Sequence, residues 1–148
     1  MRPADLGIAV PRGWRRSADP AHGLLLAARA SVLPKSGFRP TLTLRCEPVT
    51  GDRAAWRDAA LREAAESLPA FEVEDADEFE LAGRDVSYRR YAHAAGSADV
   101  ICEEWAWQLD GLGVVLTGAV AREDYPDHCD LFEAVAEAFD PGSGSAVA

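Results

Sequence analysis

Signatures of catalysis and of metal or phosphate binding are what this chain most lacks. It has no GxSxG, HExxH, P-loop or Rossmann fingerprint, so the familiar serine hydrolases, zinc peptidases and nucleotide-binding enzymes are set aside. Sulfur is scarce, with three cysteines and one methionine in 148 residues. Cys46, Cys102 and Cys129 are too few and too scattered for a disulfide framework or a zinc site, and an odd count suits a reducing compartment. No apolar run approaches the roughly 20 residues of a membrane span. The opening MRPADLGIAV lacks the apolar core and small-residue cleavage site of an export signal. Positive charge is also short: 15 Lys and Arg stand against 25 Asp and Glu, a net charge of −10. Carboxylate excess disfavours nucleic acid and anionic membranes, both of which attract cations. The expectation is a soluble cytoplasmic protein, monomeric or weakly homodimeric, with no membrane insertion and no cofactor.

What is present is a globular composition, 48% apolar and 27% charged. A single domain over residues 1–140 with a flexible tail at 141–148 is expected, and a chain of this size buries roughly 68–70% of its unfolded surface. The stretch from Asp99 to Val120 reads as two strands folded back through Asp110-Gly111, a strong hairpin signal. Ile101, Trp105, Trp107 and Leu109 share one face of it, with Val100, Cys102, Ala106 and Gln108 opposite. Both faces are largely apolar, which predicts cover on both sides. Earlier strands are predicted at Gly7–Val10, Gly23–Ala30 and Pro40–Val49, with a polar loop at Arg15–His22. Asp52–Ser67 has helical composition and a stripe of Trp56, Ala60, Ala64 and Leu68, with Arg57 intruding and expected to snorkel. Phe71–Leu81 and the segment after Gly83 alternate as strands, and a last helix runs from about Tyr125 to Phe139 with Leu131, Phe132, Val135 and Phe139 as its buried stripe. Blocks of strands separated by helices predict an α+β fold, an antiparallel sheet of six to seven strands flanked by two main helices.

The residues that could carry function are few. Arg84, Arg89 and Arg90 stand near Tyr88, Tyr91 and Trp105, and with Trp107 they form a basic–aromatic candidate for partner binding, because Arg and aromatics dominate interface hot spots. Alternatively those arginines neutralise the acidic run of Glu72, Glu74, Asp75, Asp77, Glu78 and Glu80. That run itself reads as a blunted strand edge, a weak calcium site or a dock for a basic partner. His128 and Cys129 are adjacent and so do not face each other on a helix. His22 and His93 sit in or beside loops and are expected to face water. No metal site and no catalytic set is expected.

Several short motifs resemble the PsbP-like superfamily, the group that takes in the Ran-binding Mog protein, DcrB and actinobacterial LpqN-type lipoproteins. They are GIAVPRGW, GFRPTLTL, LAGRDVSYRRY, and VVLTGAVAREDY followed by LFEAVAEAF, spanning about residues 6 to 140. The resemblance implies an α/β/α sandwich that acts by binding other proteins and not by catalysis. No lipobox cysteine stands near the start, so lipid anchoring does not carry over. The expected function is a non-enzymatic protein-interaction module, an adaptor or a secretion-related chaperone. The alternative is a small-molecule binder with an apolar pocket between sheet and helix. An open apolar groove beside Trp105 or Trp107 would mark the first.

Overall fold

The computed structural model describes residues 7–140; the expected tail at 141–148 lies outside the described residues. Within them seven strands form one sheet: β1 Arg15–Asp19, β2 Leu24–Arg29, β3 Thr41–Pro48, β4 Glu72–Leu81, β5 Arg84–Ala95, β6 Ala98–Leu109 and β7 Leu112–Ala121. Their order is β1-β2-β3-β7-β6-β5-β4, and every pairing is antiparallel. Two α-helices complete it, α1 Arg53–Ser67 and α2 Cys129–Glu137. This is the α+β architecture expected.

Local chemistry accounts for the hairpins. Asp110 and Gly111 both have positive φ, at 50° and 77°, as do Ala82 and Gly83 at 50° and 82°. Two-residue turns of that kind match the right-handed twist of the strands they join. The chain leaves β3 in the middle of the sheet, crosses one face as α1, and enters β4 at the far edge. Successive hairpins then bring it back until β7 pairs with β3.

The two faces differ in kind. On one, Leu42, Leu44, Val114, Leu116, Val120, Trp105 and Trp107 meet Phe132 and Val135 of α2, all buried. Phe139 stacks on Trp107 with ring centroids 4.3 Å apart. Each such side chain removed from water contributes about 1.5–3 kcal/mol. Contact is closest at Gly118, where an added Cβ would lie 2.6 Å from the Phe132 ring. The other face carries Thr43, Thr117, Glu104 and Arg89 in one row across β3, β7, β6 and β5, with Arg45 two places along β3. Here α1 buries no apolar side chain fully, and Arg57 is its one buried residue. A smaller apolar cluster closes one end of this face, where Phe38, Leu68 and Phe71 pack on buried Tyr91, Val100 and Cys102, so the cover expected on both faces is extensive on one and partial on the other. Arg57 does not snorkel: the sheet beneath it offers a carboxylate.

The N-terminal expectations need correction. Gly7–Val10 is not a strand; Gly7 forms a single bridge with Asp140, while Ile8 and Val10 pack against the core. The strand lies instead in the segment read as loop, since Arg15–Asp19 pairs with β2. All five of its residues are exposed, so an edge strand with no buried face left no apolar alternation to detect. The last helix is also split, because Arg122–Asp127 is 3₁₀ and only Cys129 onward is α. Pro126 sits in the last turn of the 3₁₀ segment, and its ring disfavours α geometry for the residue before it.

Gly118→Ala should therefore lower the unfolding free energy by about 1–3 kcal/mol through overpacking against Phe132. Gly113→Ala, whose Cβ would meet both Trp56 and the buried Val49 at 2.5 Å, should lower it by a similar amount. Equal urea midpoints for Gly118→Ala and the parent would contradict the seat of α2.

Candidate functional site

The basic–aromatic candidates do not converge on one surface. Trp105 and Trp107 are 3% and 1% exposed, sealed in the α2-side core. Arg84 lies opposite Leu81 at the β4–β5 turn, exposed and without an ion-pair partner. Arg89 and Tyr91 share the α1-side face, since alternation along β5 sends them opposite to Tyr88 and Arg90. Tyr91 donates its hydroxyl to Glu104 Oε2 at 3.1 Å, and Arg57 Nη2 donates to Glu104 Oε1 at 2.6 Å. Arg89 donates to the carbonyl of Arg57 and stands 3.6 Å from Asp58. Arg57, Tyr91 and Glu104 line one wall of a cleft of about 420 Å³ between α1 and the sheet, closed elsewhere by Thr43, Arg45, Trp56 and Thr117. Its lining mixes charged and hydroxyl groups with Trp56, Ala60 and Val115, so it is not the apolar sheet–helix pocket of the alternative expectation. Within it Arg57 Nε is buried and has no hydrogen-bond partner, and the guanidinium lies 4.9 Å from the Trp56 ring centroid.

A second opening lies on the opposite face, where α2 stops short of the outer strands. It is a groove of about 200 Å³ bounded by Asp75, Asp77, Phe79 and Leu81 of β4, Tyr88 of β5, Glu103 and Trp105 of β6, and Glu133 of α2. Three aromatic rings step inward along it, Phe79 to Tyr88 at 6.3 Å and Tyr88 to Trp105 at 5.4 Å. Phe79 is 37% exposed and Glu103 only 5%. Tyr88 donates its hydroxyl to Glu103 Oε2, while Oε1 is buried with no hydrogen-bond partner. Burial pushes the Glu103 carboxyl above its ordinary range, and the nearby phenols of Tyr88 and Tyr125 and the Arg90 guanidinium pull the other way. A groove does stand beside Trp105, but four carboxylates line it where an apolar groove was expected, and its open part is Phe79 and Tyr88 and not the indole.

The acidic run forms β4 itself, the outermost strand. Its arginine neighbours answer part of it: Glu74 takes Arg90 and Arg122, and Glu78 takes Arg53. Among the described residues Glu72, Asp75, Asp77 and Glu80 have no cationic partner. Strand alternation sends neighbouring carboxylates to opposite faces, and among the described residues no His, Cys or carboxylate group could hold a metal ion. His128 and Cys129 turn to different backbone carbonyls, of Asp124 and Pro126.

Glu103 and Phe79 were not among the candidates read from the sequence, whereas Tyr88 belonged to the basic–aromatic patch. One signal was available. Glu103 interrupts an otherwise apolar series, Ile101, Trp105, Trp107 and Leu109, on a strand face that has to be buried. The Arg57–Glu104 pair had no comparable signal, because it joins residues of α1 and β6 that only the crossover brings together.

No family model and no curated protein matches this chain. Solved structures do. LpqN, involved in cell envelope biogenesis of Mycobacterium tuberculosis, superposes with a TM-score of 0.66 at 16% identity, covering 92% of this chain and 83% of that one. The cyanobacterial PsbP of Synechocystis gives 0.66 at 14%, over 92% and 86%. The fold is PsbP-like. A protein of unknown function from Pseudomonas aeruginosa shares it, with a TM-score of 0.68 at 13% identity over 92% and 96% of the two chains. At such identities the PsbP-like likeness speaks to architecture, and the chemistry has to come from the two openings.

Two measurements check this geometry. Glu104→Ala should cost about 3 kcal/mol by stranding buried Arg57 without its counter-charge, and Arg57→Met added to it should restore part of the loss. Strictly additive losses would refute the coupling. Cys102, whose thiol burial pushes up to about 12 from 9.0, should resist a disulfide reagent at about pH 8 until the protein is unfolded. The protonated thiol favours the folded state fully below 9.0, and that contribution is lost as pH climbs towards about 12. Rapid labelling of Cys102 in the native state would show that β6 is not closed at this point.

Proposed function

We propose that this PsbP-like chain is a non-catalytic protein-binding module, adaptor- or chaperone-like, that receives an extended basic segment of a partner along β4. The observation that carries this is the open edge. Strand β4 has ten residues, nine of them exposed, and pairs only with β5. Ten residues present an edge about 33 Å long; Asp75 and Asp77 cap the N–H groups of Ala76 and Glu78, and an incoming basic strand would draw those carboxylates to its own cations and take their place on the backbone. The opposite edge, β1, has only five residues and an irregular register. Carboxylates along an edge discourage pairing with a like strand, so a second copy of β4 is a poor occupant. A segment bearing Lys or Arg meets Glu72, Asp75, Asp77 and Glu80 with opposite charge and finds Val73 and Phe79 exposed for apolar contact.

A labelled peptide of alternating Lys and Val should bind, and its Glu-Val counterpart should not. Charge complementarity on an exposed edge is screened within about 8 Å at physiological salt, so affinity should fall steeply as salt is raised. Amide exchange protection on binding should concentrate in residues 72–81. Protection elsewhere, or equal binding of the acidic peptide, would overturn the proposal.

A second reading rests on Arg57. Its partnerless Nε in the cleft of about 420 Å³ favours a small ligand bearing a hydrogen-bond acceptor, such as a carboxylate. Thermal-shift screening with small carboxylic and phosphoric acids should then raise the melting temperature of the parent and not of Arg45→Ala. A flat screen would leave the cleft as structure alone.

A further inference from the structure

We infer that the groove between β4, β5 and α2 is a side-chain pocket for one arginine of the bound segment. This rests on the β4 docking reading and names what that surface selects. Three separate features of the groove point to a guanidinium. The first is charge: Asp75 and Asp77 carry no cationic partner, and Glu133 stands across from them on α2. The second is the aromatic staircase, in which Phe79 and Tyr88 offer ring surface at the open end. A planar cation stacks on such faces, and arginine does so better than lysine because its guanidinium is flat and weakly hydrated. The third is independent of both. Glu103, 5% exposed, keeps one oxygen with no donor. A buried acceptor left unmet is costly, and a donor arriving from a ligand relieves that cost.

Neither the chain's own arginines nor the neighbouring Tyr125, whose phenol also acts on this carboxyl, brings a donor into hydrogen-bonding geometry with that oxygen. Arg90, which shares this face, is directed to Glu74 and lies over the Tyr125 ring, 5.7 Å from its centroid. Arg122 is taken up by Glu74 and Asp99. Alternation explains why a docked strand would deliver one: every second side chain of a segment added to β4 falls on the same face as Asp77 and Phe79. The segment's register is then set where its arginine meets the groove.

Calorimetry with one Lys-Val peptide carrying a single central arginine, compared with the same peptide carrying citrulline, lysine or glutamine there, tests this. Citrulline keeps the shape and removes the charge. The arginine peptide should bind at least about tenfold more tightly than the citrulline peptide, as expected when one partner of a desolvated charge pair is neutralised. Glu103→Gln, which keeps side-chain volume, should remove most of that difference, while β4 amides stay protected by either peptide. Equal affinities in the parent, or an unchanged ratio in Glu103→Gln, would overturn the arginine pocket and leave strand docking standing. N-acetyl-arginine methylamide separates the two further. Tyr88 and Trp105 resonances should shift on titration even if no peptide docks, in which case the β4 reading fails and the pocket survives. No shift at either ring would overturn the pocket.

Discussion

Phe132 lies directly on the sheet at Gly118, and an added Cβ there would come within 2.6 Å of its ring. That close seat fixes where α2 rests, because the ring can approach β7 only where no side chain intervenes. From it follow the stack of Phe139 on Trp107 and the burial of Val135 and Ala136. A helix about 10 Å wide covers roughly two strands of a sheet whose strands lie about 4.8 Å apart. With α2 placed near the middle, β4 and the outer part of β5 are left without helical cover on that face. The groove at Phe79, Tyr88 and Glu103 is therefore a consequence of where the core closes.

On the opposite face a charged pair stands beneath α1, beside a smaller apolar cluster of Tyr91, Val100 and Cys102. Arg57 and Glu104 join α1 to β6 at 2.6 Å, with Tyr91 as a second donor to the same carboxylate. Pairing of this kind contributes little net stability against a hydrophobic substitute, yet breaking it strands a buried charge. It places the helix over the sheet without sealing the space beneath, so a cleft persists there. The two faces of one sheet thus hold two kinds of opening, one acidic and aromatic, the other bounded by arginine and hydroxyl groups.

Much of the scaffold was legible from residues alone. Asp110-Gly111 marked the β6–β7 hairpin, and the alternation of Ile101, Trp105, Trp107 and Leu109 placed the tryptophans on one face. The period of Leu131, Phe132 and Val135 gave the buried stripe of α2. The miss at β1 has a plain cause: RRSAD shows no apolar alternation because neither of its faces is buried. The binding candidates fared differently. Arg89 and Tyr91 do stand together, but they face α1, whereas Trp105 faces α2, and strand alternation forbids the cluster that nearness in sequence suggested.

Local chemistry by itself thus determined the strand-and-turn order from β2 onward, the amphipathic face of α2, the acidic character of β4 and the absence of recognisable catalytic motifs. These follow from periodicity, turn residues and charge, all of which act over a few neighbouring positions. Tertiary structure alone decided that β4 is the outermost strand, that Glu103 is buried with one oxygen unmet, and that Arg57 reaches Glu104. Each depends on which strand lies beside which after the α1 crossover, a contact between positions distant in sequence that no local pattern encodes.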